Sequence, residues 1–167
     1  MTCGPINRIP AGLQWMDVPL HPLTIQLYDY WREKAAGRAM PDRADIDPIE
    51  IPRILPNILL VDSLTAEGDF RVRLFGSELA YLTGEERTGT GRTEIGRNRP
   101  PELAQKSQER WKVVITRLVN EQAPLFLRTR MDYHADNHRV LHIAALPLSA
   151  GTPGQMGQAI GMMVTEA

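Results

Sequence analysis

The order of its segments places this chain in the α+β class, with a single antiparallel sheet: two strand-like segments, short helical pieces, one long helix, then three more strand-like segments. Three observations carry that expectation. Phe70, Val72 and Leu74 alternate with Arg71 and Arg73, the period-2 pattern of a half-buried strand. Glu102 to Glu121 places Leu103, Trp111, Val114, Ile115 and Leu118 on one helical face, with Pro101 just ahead of it. Leu125 to His134, Arg139 to Leu148 and Gln158 to Val164 read as strands, joined by Ala135-Asp136-Asn137 and by the Gly/Pro-rich stretch 149–154.

In chain order, residues 1–19 carry Pro5, Pro10 and Pro19 without apolar periodicity and read as a flexible tail. Pro22 suits the first turn of a helix in which Leu23, Leu27, Tyr30, Trp31 and Ala35 recur until Gly37. Gln26, Asp29, Arg32 and Glu33 occupy its other side. Pro41, Pro48, Pro52 and Pro56 exclude a long helix in the next stretch, although Asp47 before Pro48 is suited to cap a short turn. Ile58 to Leu64 and Phe70 to Phe75 form a hairpin around Gly68. Gly76 offers backbone freedom, Ser77 is the expected N-cap of a helix to Leu82, and Gly84 ends it. Residues 84–101 read as a flexible connector. The expected organisation is a tail (1–19), a helix with a proline-rich connector (20–57) and a core (58–167).

With 167 residues, 43% hydrophobic and 23% charged, the chain fits one globular domain. Nineteen basic residues against 20 acidic ones give no long-range attraction to nucleic acid or anionic lipid. The N-terminus shows no basic-then-apolar leader, no apolar run is long enough to span a bilayer, and Cys3 is the single cysteine. A cytoplasmic setting with no internal disulfide is expected.

The local sequence adds a resemblance. Trp31, Pro41, Arg43, Asp47, Pro48, Leu55, Pro56, Arg73, Gly76, Gly84 and Gly89 fall where a bacterial PAS-like family carries its motifs, and the segment order from Ile58 onward is that of the PAS fold. The resemblance implies a five-stranded antiparallel sheet in the order second, first, fifth, fourth, third. It also implies helices packed on one face, with an N-terminal cap helix. Such folds hold haem, flavin or small metabolites between sheet and helices, and the cap helix often mediates dimers, here through Leu27, Tyr30 and Trp31. Strand and helix parity nominates Tyr81, Trp111, Ile115, Met131 and Tyr133 as cavity-lining residues. Arg73 is a candidate anchor for a carboxylate ligand, or a tie to Asp45 or Asp47.

No cofactor is named by these residues. The reactive cysteine of flavin photosensors has no counterpart except Cys3 in the tail, and the long helix has no histidine to ligate haem. His134, His138 and His142 straddle a turn, with His138 and His142 about 13 Å apart at strand rise, too far to share one metal. Residues 84–96 lack the phosphate-loop pattern. Arg71, Arg73, Arg128 and Arg130 split between opposite edge strands and make no continuous nucleic-acid stripe. Ser77 has no histidine near it in sequence, and no catalytic motif is present. The expected function is a sensory or regulatory module that binds a small ligand, a protein partner or both and signals through protein contacts. The alternatives are a ligand-free interaction module, distinguished by a filled cavity, and a small enzyme on the same scaffold.

Overall fold

The computed structural model describes residues 12–130 and 139–166. Its strands are β1 (Leu13–Met16), β2 (Ile58–Asp62), β3 (Arg71–Phe75), β4 (Leu125–Arg130), β5 (Val140–Ser149) and β6 (Met156–Thr165). They form one antiparallel sheet in the order β1-β4-β5-β6-β2-β3. The helices are α1 (Pro22–Ala35), α2 (Ser77–Thr83) and α3 (Pro101–Glu121). The expected strand order is present with one strand added.

That strand corrects the tail. Leu13 pairs with Thr129 and Met16 with Phe126, so β4 is interior and Arg128 and Arg130 do not lie on an edge strand. Four residues are too few to display a convincing alternation, and their partner lies far along the chain.

The second correction concerns the faces. Trp111, Val114, Ile115 and Leu118 of α3 pack with Leu59, Val61, Val72, Ile143 and Met163 on one side. On the other, Leu27, Trp31 and Ala35 of α1 pack with Leu60, Phe126, Ala144, Leu146, Leu148 and Met162. The sheet is covered on both faces, which is why β5 is buried from Leu141 through Ser149 instead of alternating.

The third concerns β3. Leu60 faces Leu74 while Val61 faces Val72, so Arg73 is the extra residue of a bulge. Parity inverts there. Val72 and Phe75 join the α3 side and Leu74 packs toward α1, whereas strict alternation groups Leu74 with Phe70 and Val72.

Gly76 leads from β3 into α2 with an ordinary φ of −62°, and it, not Ser77, is the N-cap. Its requirement is space: a Cβ there would lie 2.1 Å from the Pro56 carbonyl oxygen. Gly84 takes the left-handed conformation that ends α2, at φ 74°. The segment after it is braced along β3: Gly89 N–H donates to the Val72 carbonyl (2.7 Å) and Val72 N–H to that of Thr90 (2.9 Å). No helix among the described residues is long and apolar enough to cross a membrane.

Candidate functional site

The space between α3 and the sheet is where the sequence nominates a ligand cavity. Trp111, Ile115 and Leu118 descend from α3, and the Trp111 ring meets Phe70 edge-on with centroids 6.1 Å apart. Beneath them, against Leu59, Val61 and Ala145, about 20 Å³ is left open. Toward β1 a second gap of about 10 Å³ lies among Leu13, Ser107, Thr129 and Met163. Each is on the scale of one water, for which the threshold is roughly 10–15 Å³. The Ser107 hydroxyl, buried without a hydrogen-bond partner among the described residues, suits one. Neither gap among the described residues has room for a haem or flavin.

Across the sheet, α1 is fixed at several points. The Trp31 indole N–H donates to the Pro147 carbonyl at 2.8 Å. β4 begins at Leu125, opposite Ala145, so Pro147 lies beyond its reach. A residue's N–H and C=O point to the same side of a strand. Pro147 therefore lacks a donor where no neighbouring strand needs one, and Trp31 takes its acceptor. Tyr30 Oη donates to Glu50 Oε1 (2.8 Å) and accepts from Asp47 N–H (2.9 Å), and Lys34 Nζ joins Glu50. Asp47 also caps a 3-10 turn over Pro48–Glu50, as the sequence suggested. Asp42 accepts from Ser149 Oγ and from Gly151 and Ala44 N–H, and those bonds hold its carboxyl below the ordinary value.

The family described as PAS domain matches residues 20–164. The chain belongs to the PAS domain family. The PAS domain of Bordetella pertussis BvgS is similar in structure, with 23% identity and a TM-score of 0.52 over 73% of this chain and 88% of that one. An RNA-binding Light-Oxygen-Voltage receptor is 16% identical with a TM-score of 0.43, over 75% of this chain and 35% of that one. No curated protein matches the chain.

Within this PAS domain the nominated residues separate. Trp111 and Ile115 do face the α3 core, where they fill the space. Tyr81 does not: it is 84% exposed, because Leu79 and Thr83 face inward and the residue between them faces out. Tyr81→Ser is therefore expected to shift stability by less than about 0.5 kcal/mol in a denaturant titration. Met131 and Tyr133 lie outside the described residues, as do His134 and His138. Leu27 and Trp31 are buried on this chain's own sheet, and Tyr30 sits at the rim over Asp47 and Glu50.

Arg73 pairs with Asp62 across the hairpin. It reaches neither of the aspartates named from sequence, since Asp45 receives Arg38 and Asp47 caps its own turn. The Arg73–Asp62 pair is half in solvent. Arg73→Gln is expected to cost less than about 1 kcal/mol, and a loss above twice that in thermal unfolding would show that the bulge depends on it.

The connector at 84–98 encloses a polar recess of about 250 Å³ lined by Glu85, Arg87, Thr90, Glu94, Arg97 and Asn98. Its carboxylates serve the loop itself. Glu85 accepts from Arg87 Nε (2.7 Å) and Gly96 N–H (2.8 Å), Glu94 from Gly91 N–H (3.0 Å), and Glu86 from Thr88 N–H (2.9 Å). Arg87 is 3% exposed, with its guanidinium over the Phe75 ring. Sequence reasoning saw only alternating charge here, because which carboxylate meets which donor depends on how the loop closes.

Proposed function

We propose that this PAS domain is a non-catalytic regulatory module that signals through protein contacts, with no cofactor-sized ligand between α3 and the sheet. The packing between α3 and the sheet carries this reading, since among the described residues side chains leave only water-sized gaps there. The distribution of exposed apolar side chains supports a docking role for the α1 side. Four of the six large ones among the described residues, Val18, Leu20, Ile25 and Ile49, lie on α1 or in the segments flanking it. A partner that favours one placement of α1 on the sheet would shift the population of states, which is how such a module transmits.

Native mass spectrometry tests this. The expected result is the bare chain mass of 18.8 kDa, or a whole multiple of it. Retention of an adduct the size of a nucleotide or haem, lost on denaturation, would overturn the reading. The same spectrum gives the number of subunits.

A further inference from the structure

One polar cluster lies apart from both cores, at the end of the sheet where α1 begins. Four elements and the residue after β6 converge there. From β5, His142 is buried, and its Nε2 is 3.0 Å from Glu166 Oε1, just past the end of β6. From β4, Arg128 Nη2 reaches the same oxygen at 3.2 Å, while its Nη1 donates to Gln14 Oε1 of β1 at 3.1 Å. The His21 ring stands 5.5 Å from that of His142. Among the described residues, His142, Glu166 and Arg128 are the titratable and charged groups gathered with His21.

His21 is also the N-cap of α1. Its Nδ1 accepts from Leu23 N–H at 3.0 Å. Only a ring unprotonated at Nδ1 can hold this bond, since Nδ1 must be an acceptor toward Leu23. A proton on Nδ1 would set donor against donor and remove the cap.

We propose that His21 is a proton-operated latch, whose protonation releases the first turn of α1 from the end of the sheet. Burial, then the neighbouring His142, hold the His21 pKa below its ordinary 6.5, against the opposing pull of the Thr165 carbonyl and Glu166. With the docked value below the free one, the docked state loses stability as pH falls through 6.5. The loss stops growing below the docked value. Glu166 responds separately. Its hydrogen bond from His142, with help from Arg128, holds its carboxyl below 4.5. Its contribution stays in place through the histidine range and is lost only at lower pH. The latch gives a helix packed across one face of the sheet a response to mild acidification.

The test is NMR on the full chain. The His21 ring should titrate with a midpoint below 6.5, the unperturbed value. Exchange protection of the Leu23 and Ile25 amides, both bonded to His21, should drop about tenfold relative to α3 between about pH 7.5 and about pH 5, the scale of losing one N-cap. His21→Asn keeps a capping side chain that does not titrate, and its first turn should show no such pH response. A His21 midpoint at or above 6.5 would overturn the proposal. So would an unchanged pH response in the asparagine variant, or constant protection in the wild type. The wild-type titration decides even if the variant folds poorly.

Discussion

Trp31→Ala is expected to destabilise the domain by about 4 kcal/mol, read as a lower urea midpoint in equilibrium unfolding. Truncating a buried tryptophan costs roughly 3–5 kcal/mol through lost burial and the cavity left behind. Trp31 is 5% exposed, among Leu27, Phe126, Leu146 and Leu148. The Pro147 carbonyl adds to the loss, since Trp31 is its donor where β4 does not reach. Trp31→Phe separates the two contributions: it keeps most of the ring but leaves that carbonyl unpaired, for an expected cost of about 1–3 kcal/mol. A loss below about 1.5 kcal/mol for the alanine variant would mean that α1 is not integral to the fold. The docking reading would then need a different moving part.

Gly76→Ala is the second large effect, about 3 kcal/mol or more, at the upper end of what overpacking costs. The cause is crowding alone. Its φ of −62° is open to any residue, but the added methyl would sit 2.1 Å from the Pro56 oxygen and 2.5 Å from the Pro56 carbonyl carbon. Both are backbone atoms, which cannot swing aside as a side chain does. Gly84→Ala is the contrasting case. That position has a positive φ, and an added methyl would meet nothing within 4 Å, so its cost is conformational, about 1–2 kcal/mol. Equal losses in the two variants, measured by thermal unfolding, would contradict the crowding argument.

Much of the fold is legible in the chain because its signals are local. The α3 face repeats at helical spacing, Asp47 stands directly before Pro48, and Gly84 follows a short apolar helix. What escaped is nonlocal. β1 is four residues whose partner is more than a hundred positions away. The bulge at Arg73 depends on how β2 and β3 register, and it reverses which of Leu74 and Phe75 faces α3. The site was less legible than the fold. Parity puts Trp111 and Ile115 on the side of α3 that meets the sheet, but a residue that lines a cavity and one that fills it have the same pattern. Tyr81 failed for a simpler reason: in a seven-residue helix, alternate residues do not share a face. The His21, His142 and Glu166 cluster gave no sequence signal, since its members come from three separate segments.

The pairing of β1 with β4 also has a consequence in time. Gln14 and Arg128 meet across 114 residues of chain. During synthesis at 5–20 residues per second, β1 therefore waits roughly 6 to 23 s before its partner is made. Until then Leu13 to Met16 can pair only with something else or with nothing. β2 with β3, and β4 through β6, are joined by much shorter connections. The other long-range pairing, β2 with β6 from Ile58 opposite Met162 to Asp62 opposite Gln158, lies between two interior strands. Closing so long a loop for four residues makes this pairing slow to form, and leaves β1 an edge expected to open early when the folded domain breathes.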